Sequence, residues 1–400
     1  MPQCLDASSW RKATPEEVVA FTKKFGESRR AHIEGRGARR LVVRKHLKQA
    51  DVYAYLRARF GVPNGFQNFL RSNSSDNLVH WDFVLKAGSE DVYLQGVTRD
   101  VQIIVSEGLS DEQWKQLICS IKADFARVRH EKSEMMDSFE KFLVFQNKFA
   151  VLADLCAELH ASITEAPPKI NRPPKLTSDK SIKRYKRVMD GVSKRAADLY
   201  GNCLKLKLLT PIMAEAYINM LILVFCKKEV RNDVKGYGEF IRANIPERLA
   251  QLSTLCFGFE SGIDQKTEMY GNFLRVMNER NFAVHGNVDP LKEQIETVYF
   301  EGKRPLFTEA GDNVFRLFEH LEAINNPTKV IQDYENVLTF LLEIKQCLSG
   351  RFRDFFDIVI DDPYPGYELR AQRVTKILPS HNAAMLFPNE FYDHDLKVRW

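Results

Sequence analysis

Glu165-Ala166-Pro167-Pro168-Lys169-Ile170-Asn171-Arg172-Pro173-Pro174-Lys175 divides the chain into halves of different character. Two Pro-Pro pairs cannot lie inside a helix, because each ring removes an N–H donor and crowds the preceding turn. The stretch therefore reads as a semi-rigid linker, continuing through basic residues over 166–194. Before it, strand-like alternation is interleaved with helical patterns; beyond it, strands disappear. The expected fold is an α+β N-terminal domain over 1–165 with a small antiparallel meander, then an all-α helical bundle over 195–350. An aromatic and proline-rich tail follows over 351–400.

In the first half, Thr14-Pro15-Glu16-Glu17 opens a capped helix. Asp51 to Phe60 reads as a second helix, stopped by Gly61-Val62-Pro63-Asn64-Gly65. From Leu78 to Ser106 the period changes: Val79, Trp81, Phe83 and Leu85 alternate with polar neighbours, as do Val92, Leu94 and Val97. Gly88-Ser89-Glu90-Asp91 and Thr98-Arg99-Asp100 are the expected connections. Ser110-Asp111-Glu112 starts a helix through about Val128, and one longer helical pattern fills 131–163.

In the second half, helical patterns cover about 194–209, 211–228, 236–256, 264–284, 310–324 and 328–349, with a weaker one at 290–303. Thr210 reads as the cap of the second, with Pro211 in its first turn.

Composition excludes several classes. Apolar content of 44% with 28% charged residues is ordinary globular usage and argues against wholesale disorder. The opening residues lack the charged-then-apolar order of a signal peptide. The longest apolar run, Tyr217 to Cys226, is about half of the ~20 residues that span a bilayer, so it reads as a buried core helix and no membrane is expected; a reducing cytoplasm is the location that fits the cysteines. Seven scattered cysteines without a Cys-x-x-Cys pair argue against a disulfide framework or zinc module; Cys226 in its apolar stretch reads as a small hydrophobe. No phosphate-cradling or dinucleotide glycine motif is present.

The net charge of +5 permits an anionic partner, and its distribution is more informative. One basic cluster spans Arg29 to Lys48. Another holds Lys183, Arg184, Lys186 and Arg187, then Lys194 and Arg195. Each is either a solvated face or a surface for the RNA phosphate backbone, and the second is the expected RNA-binding segment.

Asn278-Glu279-Arg280-Asn281-Phe282-Ala283-Val284-His285-Gly286-Asn287 carries the chemistry. Met269, Phe273, Val276 and Met277 recur at helical spacing, and Arg280 continues that inward stripe. A guanidinium there must meet something anionic or polar. Gly286 can end the helix and bring His285 beside Arg280. Arginine matches paired phosphate oxygens and histidine exchanges protons near neutral pH, the minimum for transphosphorylation of RNA. Glu215 and Asn219, one turn apart on another helix, either orient these groups or brace neighbouring helices.

This Arg-Asn-x-x-x-His-Gly string resembles the signature of the HEPN superfamily, and Ala214 to Leu221 looks like that family's core helix. The resemblance covers about 195–349 and implies a HEPN-like bundle, homodimerisation around the motif and metal-independent endoribonuclease activity. Arg280, His285, Asn281 and Glu215 would form the catalytic set, with no cofactor and no metal. It also implies a defence, toxin or abortive-infection role, restrained or triggered by a protein partner, with the N-terminal domain sensing a trigger or selecting the RNA. Other members are non-catalytic RNA-binding or scaffold modules. Arg39 and Arg40 before His46 match the spacing loosely but lack the asparagine and glycine, so they read as a charged face. Asp82 and Lys86 weakly evoke a metal-dependent nuclease in the N-terminal domain. Asp354, Asp357, Asp361 and Asp362 read as a solvated acidic tail.

Overall fold

Alternation along Trp81, Phe83, Leu85 and Ala87 sends these side chains to one face of a strand and Asp82, Val84 and Lys86 to the other. A computed structural model of the protein describes residues 2–28, 38–66, 79–165, 179–284, 290–291, 294, 296–308, 320–377 and 391–400. The architecture is mixed α+β, with an antiparallel sheet in the N-terminal region and a mostly helical remainder. Two units result, Met1–Phe142 with Ile377–Trp400, and Leu143–Lys376. The division falls at 142/143 rather than at 165. The Pro-Pro segment joins two helices that pack on each other, and its prolines lie outside the described residues.

The first unit contains β1 (Arg11–Lys12), α1 (Pro15–Ser28), β2 (Ala38–Val43), α2 (Gln49–Phe60) and β3 (Val79–Ala87). It continues with β4 (Glu90–Val97), β5 (Val101–Leu109), α3 (Asp111–Asp124) and α4 (Arg129–Ser138). The strands form one antiparallel sheet in the order β1-β3-β4-β5-β2. Phe83, Leu85, Leu94, Ile103 and Leu41 face Tyr55 and Leu56 of α2 and Trp114 and Ile118 of α3. Val84, Tyr93 and Ile104 face Val18 and Phe21 of α1. The caps behave as expected: Thr14 and Glu17 bond reciprocally, as do Ser110 and Gln113.

Three expectations in this unit need correction. Glu90 and Asp91 belong to β4, the turn being made by Gly88, at φ 58°, and Ser89. The helical pattern over 131–163 is two helices interrupted at β6 (Phe142–Val144). The basic run to Lys48 is not one continuous charged face: Arg44, Lys45 and Lys48 are exposed, Arg44 also pairing with Asp100 at 2.8 Å, but Leu41, Val42, Val43 and Leu47 between them are buried.

The second unit is built around one long helix. After α5 (Lys148–Thr164), α6 (Asp179–Phe225) runs unbroken for 47 residues, so the linker over 179–194 and the separate start at Thr210 are both corrected. Thr210 caps nothing; its hydroxyl donates to the Leu206 carbonyl at 2.8 Å, and Pro211 sits inside the helix. Cys203 and Leu206 before Pro211, and Met213, Tyr217, Leu221 and Phe225 after it, form one buried stripe at helical spacing, and burial of this stripe holds the helix together. By length and composition α6 could cross a membrane, but its most apolar window is 67% buried, as in a core helix.

The elements that follow are α7 (Lys228–Asn232), α8 (Val234–Arg242), α9 (Ile245–Leu255) and α10 (Glu268–Val284). Then come β7 (Val298–Glu301), β8 (Arg304–Phe307), α11 (Pro327–Gln346), α12 (Gly350–Ile360), β9 (Gly366–Glu368) and β10 (Arg373–Thr375). Strands therefore persist beyond the linker. The 290–303 segment gives a hairpin in place of a helix, since Gly302 at φ 62° favours a tight turn between paired Glu301 and Arg304. The 236–256 pattern is split by Asn244, whose side chain caps α9 ahead of Pro246. Most of 310–324 lies outside the described residues; 320–325 is helical. The expected tail is also revised: Phe356, Val359 and Ile360 of α12 are core residues, and Asp362 is buried. The last ten residues rejoin the first unit, where Asp393 accepts from the backbone N–H groups of Arg44, Lys45 and His46.

Candidate functional site

The inward stripe of α10 runs Tyr270, Phe273, Val276, Met277, all buried, and then reaches Arg280. One flank of α10 is fixed to α11. Arg275 pairs with Asp333 and, at 2.8 Å, with Glu279, which also accepts from Lys329 at 3.2 Å. Burial pushes the Glu279 carboxyl up, but these cationic partners outweigh it and hold it below the usual range.

Arg280 faces α6. Its Nη1 lies 3.4 Å from Glu215 Oε2, while the other carboxylate oxygen accepts from Arg248 Nη2 at 2.6 Å. Arg248 Nη1 donates to Asn219 Oδ1 at 2.7 Å. Glu215 and Asn219 therefore share one face, four residues apart, as helical geometry requires. Arg248 is 5% exposed and shares the buried side of α9 with Leu249 and Leu252, whereas Glu215 is half-buried and Asn219 exposed. The cluster thus opens to solvent on the α6 side. Two guanidiniums share one carboxylate, and their Nε–H groups are buried without an acceptor among the described residues. A buried donor left unmade costs about 1–3 kcal/mol. Surplus positive charge with spare donors is the chemistry of an anion site.

Of the expected site residues, the structure brings Arg280 and Glu215 together. Asn281 is in α10, with its side chain outside the description, and His285 and Gly286 lie outside the described residues. Sequence reasoning missed Arg248. The signal was present, since Ile245, Arg248, Leu252 and Leu255 follow the same stripe logic that singled out Arg280.

Lys183, Arg184, Lys186 and Arg187 are exposed near the start of α6. At 100° per residue, Lys183, Arg184, Arg187, Lys194 and Arg195 fall within an arc of roughly 120°, extending roughly 18 Å along the axis. Lys194 and Arg195 line a shallow groove with Ser162 and Asn202, which bond to each other at 3.0 Å.

The remaining candidates are otherwise engaged. His46 Nδ1 lies 2.8 Å from Asp393, its ring stacked on Trp400, so it anchors the C-terminal residues. Asp82 is fully buried and accepts from the Tyr93 hydroxyl at 3.1 Å, and Lys86 pairs with Asp91. Asp357 pairs with Lys345. Among the described residues no group of three or more His, Cys, Asp or Glu side chains is placed to hold a metal ion. No protein-family model, curated protein or solved structure matches the chain.

Proposed function

We propose that the chain is a metal-independent endoribonuclease of HEPN type, with Arg280 as phosphate clamp and His285 as general acid/base. One observation carries this reading: Arg280, on the helix that leads to His285, and Arg248 converge on Glu215 with surplus positive charge and unmet Nε–H donors. The exposed basic stripe of α6 supports RNA as the anion, because it offers sequence-independent contacts to a phosphate backbone. His285 would take the proton from the 2′-hydroxyl as that oxygen attacks phosphorus. Arg280 would stabilise the crowded phosphate, and the 5′-oxygen would leave with a proton. A second protomer would supply the matching histidine, which is why a homodimer belongs to the proposal. Asn281 would hold the motif or the substrate, and Glu215 would position Arg280.

The defence or toxin role, a controlling protein partner and RNA selection by the first unit rest on the resemblance alone, and a cytoplasmic location on the scattered cysteines. A second reading, a non-catalytic RNA-binding or scaffold module, draws on the near-complete burial of Arg248, which suits a brace between α9 and α6. Product chemistry separates the two. Incubated with RNA in EDTA, the full chain should yield fragments with 2′,3′-cyclic phosphate and 5′-hydroxyl ends. It should spare DNA and RNA with 2′-O-methyl groups at the cut site. RNA retention without any cleavage would favour the binding module.

A further inference from the structure

Cys226 follows the last residue of α6 and Cys256 the last residue of α9, and the chain pairs there as a single antiparallel bridge. The Lys227 N–H donates to the Leu255 carbonyl at 3.0 Å, and the Phe257 N–H donates to the Phe225 carbonyl at 2.9 Å. Flanking bonds of this kind make the two cysteines a non-hydrogen-bonded pair, with Cα atoms typically about 4.5 Å apart and side chains close together. That separation lies within the range of about 4.4–6.8 Å over which a disulfide closes. Both cysteines are free thiols, 3% and 2% exposed. Phe257, the next residue, is 42% exposed, so the pair lies just beneath the surface.

We propose that Cys226 and Cys256 form a reversible redox pair: a small oxidant of the peroxide class closes them into a disulfide, and a dithiol reopens it. The bond would staple α9, which carries Arg248, to α6, which carries Glu215 and Asn219. Local chemistry favours Cys226 as the attacking sulfur. The Cys256 thiol hydrogen-bonds to it and burial opposes; with Arg231 also beside it, the net effect lowers its pKa to about 7. Cys256 is held protonated by the same contact. Arg231 cannot swing away easily, because it also donates to the carbonyls of Gln372, Ile222 and Leu223.

The steps balance. The Cys226 thiolate attacks one peroxide oxygen, giving a sulfenic acid and hydroxide, which takes a proton to become water. The Cys256 sulfur then attacks the sulfenic sulfur, the S–S bond forms, and the departing hydroxide leaves as water with the thiol proton. Two thiols are oxidised and one hydrogen peroxide is reduced. The staple stands whether or not RNA is the ligand of the neighbouring cluster.

The test uses the full chain, treated with a few equivalents of hydrogen peroxide, alkylated and digested with trypsin without reductant. Peptides 208–227 and 249–266, each holding one of the two cysteines, should appear joined and separate again with dithiothreitol. The oxidised protein should melt several degrees higher than the reduced, since the bond closes a long loop, and Cys256→Ser should lose that shift. In Cys256→Ser, dimedone should trap a sulfenic acid at Cys226. Oxidation of exposed Cys119 while both pair members remain alkylatable would overturn the proposal. So would linkage of either one to a different cysteine. Because the wild-type peptide map stands alone, poor folding of the serine variant would not rescue a negative result.

Discussion

Arg280 and Arg248 bind the same carboxylate but should respond differently to removal. Arg280 is about a quarter exposed and its contact is long, so Arg280→Ala should destabilise by less than about 1 kcal/mol in urea unfolding. Arg248 is almost wholly buried and satisfies both Glu215 and Asn219, so Arg248→Ala should cost about 1–3 kcal/mol in the same assay. Equal losses would make the cluster a brace alone. A separate pH effect belongs to Asp393. Burial pushes its carboxyl up, but three backbone N–H groups and His46 outweigh that and hold it below the usual range. A depressed folded-state value means stability that is present above the ordinary Asp pKa of about 3.9 and is lost as pH falls through the folded value. Trp400 stacks on His46, so its fluorescence should report release of the C-terminal residues in that acid window. In Asp393→Asn the release should already have occurred near neutral pH; a transition unchanged by the substitution would rule this anchor out.

At the scale of elements, the start of α6 is the region to test against RNA. Replacing Lys183, Arg184 and Arg187 together by Ala should weaken RNA binding across all sequences. It should also flatten the salt dependence by about 2 in the slope of log affinity against log salt, at about 0.7 per lost single-strand contact. A change confined to particular RNA sequences would contradict a backbone role. The elements also mark where sequence reading succeeds and fails. The β3–β5 meander was legible because the face packed on α2 and α3 takes a large apolar residue at every second position, as in Phe83 and Leu85, whereas the opposite face mixes Val84 with Asp82 and Lys86. The hairpin over 298–307 was not, since its apolar residues are exposed on both faces, Phe300 and Phe307 on one and Tyr299 and Leu306 on the other, and give no period. Thr210-Pro211 has the chemistry of a helix start, yet burial of the flanking stripe carries α6 straight through. Half the candidate site was legible, as Arg280 and Glu215 do meet. Arg248 was missed because a lone arginine in a helix carries no motif, although its apolar neighbours marked it.

For the molecule as a whole, the proposed function has the Arg280 cluster and His285 act on one RNA phosphate without a metal. Shared action by two protomers predicts that specific activity falls on dilution below the dimer dissociation constant; full activity in a strictly monomeric species would refute the shared site. The most direct measurement compares wild type, Arg280→Ala and His285→Ala in one RNA cleavage assay in EDTA, with melting temperatures recorded for each. The proposed chemistry requires wild-type cleavage to 2′,3′-cyclic phosphate ends, loss of cleavage in both variants, and melting temperatures within a few degrees of wild type. Cleavage at the wild-type rate in either variant, or activity that vanishes in EDTA and returns with magnesium, would contradict it.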